Sequence, residues 1–130
     1  MKKNNKGFTL MEMLIVVAII AVLVAIAIPT FSNQLTKAKQ AADNANVRAA
    51  YAEAMSRCLV GDYDTTGTTT TTTVTVEVAG TMQEAYDGKT KIGDMTLSAG
   101  AWTKGGTVKV VATDSNGTIT CQVQNTPAAG

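Results

Sequence analysis

The most pronounced pattern in the chain is an apolar stretch near its beginning. It runs from Phe8 to Ile28, contains one acidic residue, Glu12, and ends at Pro29. Its length of about 21 residues is close to the ~20 that an α-helix needs to cross the core of a bilayer. An ionised carboxylate at that depth is costly unless it has a partner, so Glu12 is predicted to have a function. Its place near the end of the stretch also allows a plainer interpretation, in which it reaches the lipid headgroups.

A helical pattern continues over residues 31–60. Small and apolar residues recur there at alternating steps of three and four, which predicts one continuous stripe along a helix. Gly61 is expected to end this helix. If Pro29 only kinks the chain, the apolar stretch and the stripe form one helix of about 52 residues. We interpret the stripe as the face that packs on the rest of the domain; it consists of Leu35, Ala38, Ala42, Ala45, Ala49, Ala52 and Leu59.

A threonine-rich segment, residues 62–73, follows the helix. We predict a solvated loop that leads into a strand, although the composition also fits an O-glycosylated patch. Val74, Val76 and Val78 then alternate with polar residues, as in a half-buried strand. The segment that begins at Thr81 has the form of a capping box and predicts a turn or a short helix.

The last part of the predicted β-sheet region, residues 74–124, contains the clearest β unit. Two alternating runs, Thr107–Thr113 and Thr118–Gln124, flank the dipeptide Asn116-Gly117, which is a strong hairpin signal. The alternation predicts one inward face on each strand. That face is expected to consist of Val108, Val110, Ala112, Ile119, Cys121 and Val123.

Length and charge limit the possible classes of protein. A chain of 130 residues has room for one span and one globular domain. The formal charge is +1, but Lys2, Lys3 and Lys6 all precede the apolar stretch, and without them it would be about −2. These lysines predict an N-terminus on the cytoplasmic side. The rest of the chain has no basic patch, so a nucleic-acid partner is not expected.

No enzyme site can be assembled from the sequence. Histidine is absent, no serine or cysteine nucleophile has a base partner, and no phosphate loop is present. We therefore expect neither a catalytic activity nor a cofactor. Calcium needs several oxygen ligands from one tight loop, so the scattered carboxylates are expected to be solvated loop charges rather than a metal site. These carboxylates are Asp62, Asp64, Asp87, Asp94 and Asp114.

The N-terminal residues resemble the type IV prepilins. The resemblance consists of a lysine-rich leader that ends at Gly7, then Phe8, a carboxylate at Glu12, a long apolar run and Pro29. Two details differ from the commonest form of the motif: methionines flank the carboxylate, and Ala21 stands where the family often has glycine. The resemblance implies that a membrane-embedded peptidase cuts between Gly7 and Phe8 and methylates the new amine of Phe8. Glu12 is then the fifth residue of the mature chain.

The resemblance also implies a fold and a function. The expected fold is α+β, in which the second half of a long N-terminal helix packs on an antiparallel sheet of three or four strands. The implied divisions are a leader, 1–7, a membrane and assembly helix, 8–29, and a globular domain, 30–130. The implied function is that of a structural subunit, held in the bacterial cytoplasmic membrane and then polymerised into an extracellular type IV pilus. The role of the pilus is left open among twitching motility, cell adhesion, DNA uptake and biofilm formation. The implied partners are other copies of the chain, the prepilin peptidase and the pilus assembly machinery.

The two cysteines are predicted to form a disulfide bond. An exported chain enters an oxidising compartment, and Cys121 is expected to face the helix near Cys58. The alternative is two free buried thiols. A bridge from helix to strand would also differ from the disulfide that is common in the family, which joins a loop near the C-terminus to the sheet.

Other interpretations of the chain are a pseudopilin of type II secretion and a competence pilin, both with the same kind of N-terminus. A secretory signal peptide is a further alternative, because Ala25-Ile26-Ala27 could be a cleavage site that releases a soluble domain. The last alternative is an uncleaved single-pass membrane protein. The mass and the N-terminus of the native protein distinguish these classes.

Overall fold

The computed structural model describes residues 5–66, 71–95, 97 and 100–128. These residues form one helix and a four-stranded sheet, so the predicted α+β fold is confirmed. Two compact units are present, Met1–Thr36 and Lys37–Gly130. The elements are α1 (Asn5–Val60), β1 (Thr65–Thr66), β2 (Thr71–Glu77), β3 (Thr107–Ser115) and β4 (Thr118–Thr126).

The helix α1 is continuous from Asn5 to Val60 and has Pro29 in its interior. It ends in two backbone hydrogen bonds that satisfy its last carbonyl groups. The N–H of Gly61 donates to Cys58 at 3.2 Å, and that of Asp62 donates to Arg57 at 2.9 Å. Gly61 has a φ of 84°, a conformation that glycine adopts without steric cost. The predicted helix end is therefore confirmed.

The sheet is antiparallel and has the order β1-β2-β3-β4. The predicted hairpin is confirmed, and each strand continues for two residues beyond the predicted C-terminal end: β3 toward the turn, and β4 away from it. Asn116 and Gly117 form its two-residue turn and have φ values of 54° and 84°, as a type I′ turn requires. The predicted inward residues of β3 are buried, and those of β4 are half-buried because β4 is the last strand.

The threonine-rich segment is not a simple loop, so that prediction is wrong at both ends of the tract. Thr65 and Thr66 form β1 and pair with Thr73 and Thr72 of β2, while residues 67–70 lie outside the described residues. β-Branched side chains favour extended backbone, and here the extended tract finds a partner strand. The predicted alternation after it is confirmed, because Val74 and Val76 are buried.

The face of α1 that packs on the sheet is not the predicted one. All residues of the predicted stripe are exposed except Ala42, which is half-buried. The buried residues recur at the same helical spacing on the other side of the helix, at about 100° per residue. Periodicity gives the number of apolar faces but does not say which one the sheet covers. The buried positions are Asp43, Val47, Ala50, Ala54 and Cys58.

The core lies between this face of α1 and the inner face of the sheet. Ala50 and Ala54 are small, so the backbones of helix and strands can approach closely. The large side chains of the core come from residues 78–106, the irregular connection between β2 and β3. Trp102 is fully buried, and its ring lies 4.7 Å from that of Tyr86, centroid to centroid. Aromatic pairs at this separation contribute beyond the area they bury.

Asp43 is the buried polar group of this core, with 1% of its surface exposed. Its carboxylate accepts backbone hydrogen bonds from Gln83, at 3.0 and 2.9 Å, and from Glu84, at 2.8 Å. These donors belong to the segment predicted as a turn or short helix from its capping-box form. The structure has no helix there. Asp43 of α1 accepts from the N–H groups that a local cap would bind, and so fixes this loop to the helix.

We expect Asp43→Asn to destabilise the domain. The variant keeps the shape of the side chain but turns one acceptor into a donor that faces backbone N–H groups. Hydrogen bonds to a charged group contribute about 1.5–3 kcal/mol, so the free energy of unfolding should fall by about that amount. Thermal and urea unfolding of the full chain in detergent would measure it. Asp94→Asn, at an exposed carboxylate, is the control and should change little. Equal stability of both variants would contradict the role of Asp43.

Candidate membrane-anchoring and assembly segment

The first part of α1 has a surface of apolar side chains. The large ones between Leu10 and Leu35 are each 44–68% exposed. Among the described residues, one helix, Thr9–Val60, is long and apolar enough to cross a membrane, with a best window of mean hydropathy 3.0 that is 0% buried. A signal sequence near an N-terminus would also satisfy these two criteria. Such a surface requires either lipid or other protein around it.

Glu12 lies on this helix with apolar neighbours on both sides. Leu10, Met11, Met13 and Leu14 are 56–62% exposed, and Glu12 is exposed among them. In a bilayer or a dry protein interface, its carboxylate would therefore be surrounded by hydrocarbon. The backbone at Phe8 is helical as well. Four residues of helix rise about 6 Å, so the backbone nitrogen of Phe8 lies about one turn before Glu12.

The backbone at Gly7 is also part of α1, and the structure brings Gly7, Phe8 and Glu12 together on consecutive turns of one helix. Their roles in processing and assembly stay predictions.

Pro29 lies in the interior of α1 and does not end it. A proline has no N–H for the carbonyl four residues earlier, so one helical hydrogen bond is missing at this point. At the next residue, the hydroxyl of Thr30 donates to the carbonyl of Ile26 at 3.1 Å. This bond adds a donor beside the weakened position. A kink at Pro29 stays a prediction.

The second half of α1 has an exposed apolar face as well. It is the stripe that the sequence predicted as core, and we call its residues in the second unit, Ala38 to Leu59, the alanine stripe. At 3.6 residues per turn, it lies on the opposite side of the helix from the buried positions Val47 and Ala54. Leu59 is 75% exposed. Because these side chains are small, another helix could approach the backbone closely here.

Both cysteines have free thiols in the structure, so the predicted bridge is not formed here and the pairing stays a prediction. Cys58 is buried on α1, and Cys121 is half-buried on β4. The Cys121 thiol donates to the sulfur of Met55 at 3.4 Å. Burial raises the pKa of both thiols; Asp114 raises that of Cys58 further, and Cys58 raises that of Cys121. The two cysteines thus lie on facing elements, as predicted.

Four of the five acidic side chains considered for calcium have other partners. Asp62 and Asp64 form ion pairs with Arg57, with N–O distances of 3.0 and 2.6 Å. Asp87 accepts three hydrogen bonds within its own loop, and Asp114 accepts one from a tyrosine hydroxyl at 3.0 Å. Within the part of the chain that the structure describes, no three histidine, cysteine or acidic side chains are grouped as metal ligands.

The N-terminal segment matches a known family model. The model of the prokaryotic N-terminal methylation motif matches residues 2–28, which include the predicted cleavage position, Glu12 and the apolar stretch. From residue 9 onward, the match lies on exposed residues of α1. No solved structure matches the chain.

Several relatives are similar to this chain, most of them over its N-terminal part. The type IV major pilin protein PilA of Myxococcus xanthus is 50% identical over 37% of this chain and 22% of its own length. The type IV narrow pilus major component PilA5 of Thermus thermophilus is 54% identical over 36% of this chain and 43% of its own length. A fimbrial protein of Pseudomonas aeruginosa is 28% identical over 98% of this chain and 91% of its own length. The match thus spans less than half the length of the first two of these relatives, and nearly all of the third.

These observations define a class: an α+β domain on a long helix that begins with an N-terminal methylation motif and has an exposed apolar half. In these features the chain is similar to the type IV pilins.

Proposed function

We propose that this chain is a structural subunit that polymerises into a type IV pilus on the bacterial surface. The observation that carries the proposal is the exposed apolar half of α1, which bears Glu12 within the matched methylation motif. A domain with such a helix at its N-terminus can be held in a bilayer, or it can bury the helix against other copies. The names of the relatives, which are major pilins and fimbrial proteins, favour a pilus over a secretion pseudopilin.

The precursor is held in the cytoplasmic membrane with its N-terminus inside, because lysines precede the span. A prepilin peptidase cuts between Gly7 and Phe8 and methylates the new amine. The assembly machinery then moves the subunit from lipid into the filament. In this transfer the apolar side chains of α1 exchange one dry environment for another, so the step does not expose them to water.

The alanine stripe supports an assembly role for the second half of α1 as well. The domain folds on the opposite face of the helix, so the stripe stays available to neighbouring subunits. Small residues allow close packing of helices, as in interfaces where alanine or glycine lets two backbones approach. Both halves of α1 would thus lie toward the centre of the filament.

Processing is tested by Gly7→Val. A bulky side chain beside the scissile bond should crowd the peptidase, so the variant should stay at full length in the membrane and form no filaments. Gly7→Ala, the control with one methyl group, should retain part of the cleavage. Mass spectrometry of the native protein should show N-methylated Phe8 as the first residue. A first residue of Ile28 would identify a secreted domain, and an intact Met1 an uncleaved anchor; either result contradicts the proposal.

The assembly role of Glu12 is tested by three substitutions. After cleavage, the positive amine of Phe8 and the carboxylate of Glu12 both enter an apolar filament core, where unpaired charges are costly and a pair offsets part of the cost. We propose that the amine of an incoming subunit meets Glu12 of a subunit already in the filament. Glu12→Val should insert and be cleaved normally but assemble poorly. Glu12→Gln keeps the shape of the side chain but removes its charge, so it should assemble as poorly as Glu12→Val. Glu12→Asp should keep partial function.

The measurement is the number of surface filaments together with the processed fraction of each variant. Wild-type filament numbers from Glu12→Val would show that the carboxylate does not direct assembly. Glu12 would then be a residue that only reaches the headgroups.

The role of the alanine stripe is tested by Ala45→Lys. Ala45 is exposed, so the domain should keep its melting temperature within a few degrees. A charged side chain on a surface where helices pack would leave an unpaired charge, so filament yield should fall about tenfold or more. Thr103→Lys, on an exposed loop, is the matched control and should assemble normally. Normal filament yield from Ala45→Lys would exclude the stripe from the interface.

A further inference from the structure

The two edges of the sheet differ in how they are protected. Exposed strand edges present unpaired N–H and C=O groups, and proteins usually cover them, shorten them or place charged residues and prolines on them. The β1 edge has such features. The described part of its strand consists of Thr65 and Thr66, and beside it the carboxylate of Asp64 accepts a hydrogen bond from the N–H of Thr75 at 2.6 Å. Arg57 in turn holds Asp64 at 2.6 Å. This edge cannot readily accept another strand.

Among the residues that the structure describes, the β4 edge has no neighbouring strand and no such protection. Thr118–Thr126 is the last strand, nine residues long, and contains no charged residue and no proline. Its register with β3 is unbroken from Ser115–Thr118 to Thr107–Thr126, so no bulge bends it away. Four of its inward side chains are half-buried because no further strand covers them.

The register shows which backbone groups of β4 face outward. On β3, the carbonyl of Val108 accepts from Val78 on the β2 side, so even-numbered β3 residues point their backbone groups to β2. Odd-numbered β3 residues point to β4 and pair with even-numbered β4 residues, such as Lys109 with Gln124. The odd-numbered residues of β4 therefore direct their N–H and C=O groups to the open edge. These residues are Ile119, Cys121, Val123 and Asn125.

We propose that β4 pairs with β4 of a second copy of this chain, antiparallel about a two-fold axis at Gln122. In this register, Ile119 lies opposite Asn125 of the other copy and Cys121 lies opposite Val123. Each of these pairs exchanges two hydrogen bonds, so all the outward backbone groups of the four odd-numbered residues are satisfied. Registers shifted by two residues leave some of them unpaired.

The side chains of β4 are compatible with this self-pairing. An isologous contact places a residue at the two-fold axis next to its own symmetry mate, so a charged residue near the axis would meet the same charge. β4 has no charge to create this repulsion. The two-fold axis is perpendicular to the sheet, so the inward faces stay on one side. There, a cavity of about 540 Å³ lined by Tyr51, Met55, Asp94 and β4 residues 119–123 gives room for the side chains of the second strand.

The contact is independent of the proposed filament assembly, because it uses a sheet edge rather than α1. A single pair of nine-residue edges buries less area than a stable dimer usually needs, so the association is expected to be weak. Cross-linking is therefore the first measurement. Gln122 and its symmetry mate form a non-hydrogen-bonded pair with a Cα separation of about 4.5 Å, within the range of a disulfide bond.

The first experiment compares Gln122→Cys with Gln124→Cys in the full chain, in detergent, in a Cys121→Ser background. Both positions are exposed and lie on the same face of β4. Gln124 lies opposite Thr120 of the other copy, so two Gln124→Cys thiols are about 13 Å apart, too far to react. We expect the disulfide-linked dimer of Gln122→Cys to form at least tenfold faster than that of Gln124→Cys. Equal rates, or faster linking through position 124, would overturn the proposed pairing.

The second experiment keeps the native cysteines and uses charge. Gln122→Lys and Gln122→Glu should each weaken dimerisation about tenfold or more, as measured by chemical cross-linking yield or sedimentation, because like charges meet at the axis. An equal mixture of the two variants should restore dimers. Thr113→Lys, on the same face one strand from the edge, is the control and should dimerise as the wild type does. Unchanged dimerisation of Gln122→Lys, or no recovery in the mixture, would overturn the proposal.

Discussion

The constraint on which the rest of the structure depends is the uncovered apolar surface of the first part of α1. Burial of one Val, Leu or Ile side chain contributes about 1.5–3 kcal/mol, and the side chains from Leu10 to Leu35 remain exposed in the single chain. A chain with this surface is therefore unfavourable in water and favourable in lipid or against other protein. The backbone does not oppose either environment, since a helix satisfies its own hydrogen bonds, and Thr30 adds a donor near Pro29. Glu12 is the one charged residue between Phe8 and Ile28, so it is the residue most able to distinguish one apolar environment from another.

The second half of α1 has two apolar faces, both with helical periodicity but in different environments. One face packs on the sheet through Val47, Ala50 and Ala54, and the opposite face presents the alanine stripe. The fold of the domain thus depends on one side of the helix, while contacts with neighbours can use the other. This separation is what allows a charge on the stripe to affect assembly without unfolding the domain. The small residues on both faces keep the helix thin where it has partners on two sides.

The sequence predicted those features whose signal is local. The hairpin follows from Asn116-Gly117, whose positive φ values the two-residue turn requires, and the helix end follows from Gly61. The face of α1 could not be predicted in the same way, because small residues recur on both sides and only the sheet decides which side is covered. Asp43 was missed for a related reason. A charged residue among core positions is expected to be exposed, and it is buried here because a distant loop supplies backbone donors. The capping-box pattern failed at the same place, since those donors are bonded by Asp43 of α1 rather than by a local side chain.

The difference between the two sheet edges depends on charges at the end of α1, and it persists over a wide range of pH. The backbone N–H of Thr75 and the Arg57 guanidinium hold the pKa of Asp64 below its ordinary value of 3.8. A lowered pKa in the folded state means that Asp64 stabilises the fold above its unfolded pKa, and that this contribution is lost only as the pH falls through the lower, folded value. At any pH above about 4, the carboxylate therefore stays ionised and bonded to Thr75. The contact between Asp64 and Thr75 therefore protects the β1 edge throughout this range, whereas β4 has no aspartate, glutamate, lysine or arginine. Of the two edges, β4 is the one that the proposed pairing with a second copy uses, because no ion pair or carboxylate has to be displaced from it.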